Sequence, residues 1–404
     1  TLESHGLAFH FPDTVRIALE IQEQHISFFR DSNETAVSIA NHSEKDAKVW
    51  KIFTEYINKL THFLEKLYEL TPPKLPNIGF KEALSMLTPL RKHGTRGLVD
   101  FMRVAPMMMP ELMDEWFETE LLRSAVSTAG IHHLSFGPFA AGTGFNLLHQ
   151  HVYGKCVFHN AHFVKGGTGQ LANAVKLSAE SANVEIRINA KVTSINVENG
   201  ICSSVTLDGG ETIYAEQIVS GLDPNNTFIN LVGPSELNPS FFTQIRNIKF
   251  RGSTARIHFA LNELPEIKGI SKDSMGTVCS ASPSIEYLER ASDSVKYGQV
   301  AENPYVEFTI PSVLNPDFAP DGKHVLSATV QYVPYHLRDK NWSDELKSYL
   351  KNDVVRVLEN YIPGFSSFVD SSVVLAPLDL ENQFGLTEGN LNHGEMALDQ
   401  IMFM

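Results

Sequence analysis

Cysteine is scarce. Cys156, Cys202 and Cys279 are the only three in 404 residues, and their wide, odd-numbered spacing forms neither a disulfide framework nor a CxxC metal or redox motif. A reducing compartment is the expectation, with bacterial cytoplasm and mitochondrial matrix both suited to the composition. Long apolar runs are missing too: no stretch approaches the roughly 18 residues that span a bilayer, and the N-terminus shows no basic-then-apolar signal layout. Positive charge is in deficit. With 33 basic against 47 acidic residues, the formal charge of -14 repels a phosphate backbone, so nucleic acid is not an expected partner. Repeats, low-complexity tracts and flexible linkers are absent. What is present is an ordinary globular composition, 43% hydrophobic and 20% charged, long enough for two folding units and a buried core.

Patterning interleaves helix and strand. VRIALEI and ISFFR, joined by a short polar turn, predict a hairpin. SEKDAKVWKIFTEYINKLTHFLEKLYEL opens with Ser43 and Asp46 in a capping-box arrangement and lines Val49, Trp50, Phe53, Ile57, Leu60, Leu64 and Leu67 along one helical stripe until TPPKLP stops it. Shorter helices follow, among them LMDEWFETELLRSAVSTAG. After about residue 165, VEIRINAKVTSINVENGICSSVTLDGGETIYAEQIVSG alternates apolar and polar residues with turns at ENG and DGG, which predicts short strands. Further strands are expected at TARIHFAL, YVEFTI and HVLSATVQYV, and a helix at NWSDELKSYLKNDVVRVLENYI.

The stretch AHFVKGGTGQLANAVKLSAE poses a sharper question. Gly167, Gly169 and Ala172 formally satisfy G-x-G-x-x-A, a variant of the dinucleotide fingerprint. The context argues against it: only Phe163 and Val164 stand where a buried strand should lead into the first glycine, and VEIRIN ends in Asn189 where an acidic residue should hold the ribose. A glycine turn that lets the backbone pack closely before a helix is the simpler reading.

The segments KGGTGQLANAVKLSAESANVEIRINAKVTSI, VSGLDPNNTFINLVGP, RNIKFRGSTARIHFALNELP, SIEYLERASDSVKYG, PYVEFTIPSVLNP, GKHVLSATVQYVPYHLRD and APLDLENQFGLTEGNLNHGEMALDQ together resemble the phytoene-desaturase-like flavoproteins, over nearly the whole chain. The resemblance implies an FAD-dependent oxidoreductase of mixed α/β class, in which a glutathione-reductase-like FAD/NAD(P)-binding fold is interleaved with a substrate domain of mixed sheet and helices. On that plan residues 1–160 hold the hairpin and the helical part of the substrate domain, 161–223 an FAD-domain segment, 224–375 the substrate-domain sheet and helices, and 376–404 a return toward the FAD domain. It also implies that the backbone of Val192 faces the adenine end of FAD and that Gly166, Gly167 and Gly169 serve the flavin site as structure. GGTGQ is similar to GGSGQ of the monoamine oxidases, which makes Gln170 the leading candidate for a side chain on the substrate side of the flavin. The family's opening βαβ unit with GxGxxG and its closing glycine-rich flavin stretch do not occur in this sequence. The FAD fold is therefore expected to be incomplete, and the chain as given to bind FAD poorly or not at all and to be inactive by itself.

Other constellations carry chemistry only in context. QYVPYHLRD and GNLNHGEMALDQ supply Tyr332, Tyr335, His336, His393 and Glu395; beside a flavin, Tyr335, His336 and His393 become candidates to move protons while a hydride leaves the substrate. The alternative for each is hydrogen bonding that fastens loops to the sheet. His149, His151, His159 and His162, with His132 and His133 upstream, are dense, yet on a helical NLLHQHVYG the first two point about 200° apart and cannot share one ion, so no metal is assigned. FMRVAPMMMPELMDEWF reads either as an apolar entrance for a lipid-like substrate drawn from a membrane surface or as core. The resulting expectation is a desaturase, dehydrogenase or isomerase that passes a hydride from a hydrophobic substrate to flavin, a carotenoid-like polyene being the family's best-known class. The rival is a flavoprotein-derived interaction or assembly factor that has lost FAD and catalysis.

Overall fold

The computed structural model describes residues 1–21, 25–69, 97–154 and 162–401. Strands β1 (Phe9–His10), β2 (Thr14–Leu19) and β3 (His25–Phe29) open the chain, and β2 and β3 form the expected antiparallel hairpin. Helices α1 (Ser32–Ala40) and α2 (Glu44–Tyr68) follow. Ser43 caps α2 by accepting the Asp46 amide, but the box is not reciprocal. Asp46, fully buried, instead accepts the amides of Glu118 and Thr119, tying α2 to the next helical pair. The predicted stripe is the buried one, with Trp50, Phe53, Ile57, Leu60 and Leu64 inside. LMDEWFETELLRSAVSTAG divides into α3 (Met109–Asp114) and α4 (Glu120–Gly130), and α5 (Thr143–Gln150) closes this helical lobe. Met109 and Met113 are fully buried in its core, whereas Met102 of the same stretch is exposed. No helix among the described residues is long and apolar enough to cross a membrane.

A second part comprises β4 (Phe163–Val164), which pairs with β1, helix α6 (Thr168–Ser181), and a meander of β5 (Val192–Glu198), β6 (Ile201–Leu207) and β7 (Thr212–Tyr214). The turns fall at ENG and DGG as the alternation predicts. VEIRIN does not: residues 184–189 run without ladder partners among the described residues. Of α6 only Ala174 is buried, and Ile188 and Val219 are 81% and 92% exposed.

The rest is built on β8 (Thr254–Leu261), β9 (Val278–Ala281), helix α7 (Ile285–Lys296), β10 (Tyr305–Thr309), β11 (His324–Gln331), helix α8 (Asp344–Glu359) and β12 (Val369–Leu375). These strands and the opening hairpin make one seven-stranded sheet, ordered β12-β8-β11-β10-β9-β2-β3, antiparallel except where β2 meets β9. Alternation gives each strand two faces. Ile17, Ile257, Phe259, Val306, Phe308 and Val330 point to one side, where they pack with Val354 and Leu358 of α8 in a single core. The opposite side holds the candidate site.

Candidate active site on the polar face of the sheet

Because strand neighbours in register lie on the same face, the ladder fixes which side chains meet. Ser280, Glu307, Thr329 and Arg256 form one transverse row across four strands. Tyr305, Gln331 and Thr254 form the row on one side of it, and Thr309, Ser327 and His258 the row on the other. All ten are polar or charged. Such a face is ordinary when it meets water, but Arg16 and Glu307 are only 12% and 11% exposed in their side chains. Burying both charges is costly unless each is paired and hydrogen-bonded.

They are. The Arg16 guanidinium donates through Nη2 to Glu307, to Thr128 Oγ1 at 3.0 Å and to Tyr305 Oη at 3.1 Å, and Tyr305 donates in turn to Glu307. Burial alone would raise the Glu307 carboxyl; the guanidinium beside it overrides that and holds it at about 2. Thr128 reaches the pair because α4 crosses β2. Above the sheet end, the Gln331 amide donates to the carbonyls of Ile131 and Leu134 at 2.6 and 3.1 Å and accepts the His133 amide at 3.2 Å. That anchor holds His133 at φ 58° against His132, with ring centroids 3.9 Å apart and the planes tilted by 42°. Burial pulls both imidazoles below their ordinary 6.5, His133 to about 3, so both are neutral at pH 7.

Arg256 is a different case. It is half-buried, donates to the Thr329 hydroxyl, and has no carboxylate at ion-pair distance among the described residues. Burial draws it below its ordinary value, against the pull of Glu307 two strands away. Next to this row a cavity of about 400 Å³ opens, with Arg16, Thr128, His132, His151, His162 and Glu307 in its walls.

The residues singled out from the sequence lie elsewhere. Tyr335 and His336 share a second cavity of about 430 Å³ with Ser135, Arg251 and Lys296. Tyr335 donates to Glu381 and is pushed up to about 12, chiefly by burial, while His336 Nε2 stands 3.2 Å from Glu388. His393 is exposed at φ 55°; two residues on, Glu395 is buried, takes the Ser135 hydroxyl, and is raised by that burial. Gln170 is exposed on α6, its stem beside Gly166, away from these groups. Val192 begins β5, half-buried. His149 Nδ1 bonds the Tyr68 hydroxyl at 2.8 Å and His151 Nδ1 the Leu147 carbonyl at 2.8 Å; among the described residues no three metal-binding side chains stand together, and His159 and Cys156 lie outside those residues. Arg16, Arg256 and Glu307 carry no motif. The only signal for them is the polar half of the strand alternation, which is silent about pairing.

The glycine cluster tests the flavin directly. Gly166 and Gly167 have φ of 73° and 84°, which favours glycine. The Gly166 amide donates to Asn315 Oδ1 at 2.7 Å, and a Cβ on Gly167 would meet Phe318 at 2.7 Å. The turn is therefore packed against the 315–318 loop: one amide is spent and a ring fills the close approach, which does not fit a pyrophosphate cradle. Among the described residues there is no other glycine turn leading into a long helix.

Comparison with known proteins gives a consistent picture. The family described as flavin containing amine oxidoreductase matches residues 44–377. Pyridine nucleotide-disulfide oxidoreductase domain-containing protein 2 of Rattus norvegicus is 30% identical over 430 residues, covering 100% of this chain and 74% of the rat protein. Phytoene desaturase (lycopene-forming) of a Paracoccus species is 23% identical, over 87% of this chain and 70% of its own. Among solved structures, a putrescine oxidase triple mutant redesigned in its cofactor binding superimposes with a TM-score of 0.52 at 11% identity, over 92% of this chain and 69% of that one. At that identity the likeness concerns the fold alone.

Proposed function

The chain belongs to the flavin containing amine oxidoreductase family, and from that premise we propose that it carries the substrate side of an FAD-dependent oxidoreductase, with the cavity on the polar sheet face as the place where substrate lies. The observation that carries the reading is the buried Arg16–Glu307 pair in the cavity wall. Replacing such a pair by apolar residues often costs nothing in stability, so its presence beside a cavity is better explained by what the cavity holds. The chain's own groups then have definable tasks. Tyr305 and Thr128 fix the guanidinium, the 131–134 turn limits access of water, and the neutral His132 imidazole in the cavity wall is a group able to take a proton from a bound substrate. Gln170, Tyr335, His336 and His393 remain proposals for the flavin side, with Gly166, Gly167, Gly169 and Val192 as its structural support.

A hydrophobic substrate of the carotenoid-like class fits these walls poorly. It would strip water from Arg16, Glu307 and His132 without replacing the hydrogen bonds, at roughly 1–3 kcal/mol for each unpaired group. The cavity favours a substrate with polar groups. One observation favours the rival reading of an assembly factor: the apolar residues bared along 184–222, Ile188 and Val219 foremost.

The deciding experiment is to incubate the purified chain with FAD, remove the excess, and add polar and polyene donors without oxygen. In protein that retains the flavin, bleaching of its visible band by polar donors is the expected result. A retained band that survives every donor, or that only polyenes bleach, contradicts the proposal; a colourless protein is what the incomplete FAD fold leads one to expect, and calorimetric binding of polar donors in preference to polyenes then decides.

A further inference from the structure

The two carboxylate oxygens of Glu307 are served unequally. Oε1 takes both of the bonds described above, one from Arg16 Nη2 and one from the Tyr305 hydroxyl. Oε2 receives no donor among the described residues, and neighbouring atoms do not shut it in. Glu307 is only 9% exposed and lines the cavity of about 400 Å³, so the opening left to Oε2 is the cavity itself. An ionised carboxylate accepts at both oxygens, and one left without a donor in a buried place is costly. The donor for Oε2 therefore has to come from what the cavity holds.

Charge narrows the kind of donor. A carboxylate at this point would face Glu307 with like charge. An ammonium would add a positive charge beside Arg16, whose guanidinium already balances Glu307, on a face that carries Arg256 as well. A polyene or an ether would strip water from Oε2 and give nothing back. The neutral His132 imidazole shares the wall, close enough to Glu307 for each to act on the other's charge, and it presents one donor and one acceptor. An uncharged group that both gives and takes a hydrogen bond meets all of these conditions, and a hydroxyl is the simplest such group.

We infer that the substrate of this cavity bears a hydroxyl group, and that Glu307 determines this specificity by accepting the hydroxyl's hydrogen bond at Oε2. This role rests on the reading of the cavity as the substrate site. It divides the carboxylate between two tasks, Oε1 holding the protein's own Arg16 and Tyr305 and Oε2 reading the ligand.

The test uses the full 404-residue chain at neutral pH and four probes of similar shape, benzyl alcohol, benzyl methyl ether, benzylamine and benzoate, titrated calorimetrically. Benzyl alcohol should bind most tightly, by about tenfold or more over the ether, the value of a hydrogen bond to a charged group. That comparison needs no variant. In the double variant Arg16→Met with Glu307→Leu, in which an apolar pair replaces the buried charges, the preference should vanish and alcohol and ether bind alike, with a cooperative thermal transition showing that the variant is folded. The role of Glu307 is overturned if the ether, the amine or benzoate binds the wild type as tightly as the alcohol, if the folded double variant keeps the preference, or if no probe binds at millimolar concentration. A cavity-filling variant, Ala129→Phe, separates the two levels. If it abolishes binding of every probe, the cavity reading stands and a missing alcohol preference counts against Glu307 alone; if every probe binds it as before, the probes bind elsewhere and both readings fall.

Discussion

At the scale of single residues, the account turns on side chains whose meaning depends on what lies across the sheet. Glu307→Gln leaves the Arg16 charge buried without its counter-charge and should cost about 3–5 kcal/mol of stability, read from urea unfolding. The double variant Arg16→Met with Glu307→Leu should recover most of that loss, because the cost comes from the orphaned charge rather than from the missing pair. Acid should act on the same region with a definite sign. The folded-state values of His132 and His133 lie below the ordinary 6.5, that of His133 at about 3, so below pH 6.5 the unfolded chain takes up protons that the folded one refuses. Stability should therefore be full above about pH 6.5 and fall as the pH drops toward 3, with Glu307, held at about 2, adding to the loss below the ordinary carboxylate value. A urea midpoint measured against pH checks this, and His133→Gln should flatten the upper part of the curve. Of these residues only His132 and His133 stood out in the sequence, as members of a dense histidine stretch. Arg16 stands 240 positions before Arg256, and Glu307 another 51 beyond; they join only through strand register, whereas Tyr335, His336 and His393 drew attention by residue type in short clusters.

Between residue and domain stand the elements, and here the sequence spoke clearly wherever an element buries one face within this chain. The stripe on α2 and the alternation in β8, β10 and β11 are direct consequences of a packed side, so they could be read at helical and strand period. VEIRIN has the same alternation but no strand beside it among the described residues, and it remains without a ladder. Half of the Ser43 cap was legible; the other half failed because Asp46 serves the amides of residues 118 and 119 instead. Asp46→Ala should cost about 2–4 kcal/mol for the two part-buried amides it leaves without an acceptor. The glycine turn before α6 gives a paired test. Gly167→Ala combines positive φ with the Phe318 contact and should destabilise by about 1–3 kcal/mol, while Gly169, within the helix and facing open space, should tolerate alanine or gain up to about 1 kcal/mol. Equal tolerance at both positions, in thermal unfolding, would contradict the packing role of the turn.

For the whole molecule, two well-filled cores, one under the helical lobe and one between the sheet and α8, contrast with a third segment, 162–222, that buries little. Its amides should exchange with solvent faster than those of β8 to β11 by hydrogen-exchange mass spectrometry, because few apolar contacts oppose local opening. The family was legible through resemblance, and the mixed α/β class agrees with the fold observed; the polar character of the cavity was not, since it emerges only when the face of one sheet is assembled from five stretches of chain. The central claim is that this cavity is where an oxidisable substrate lies. The most direct measurement compares calorimetric binding of a polar donor to the wild type and to Ala129→Phe, after unfolding curves show both are folded. The account predicts binding in the first and loss of it in the second. Equal affinity in the two proteins would contradict it.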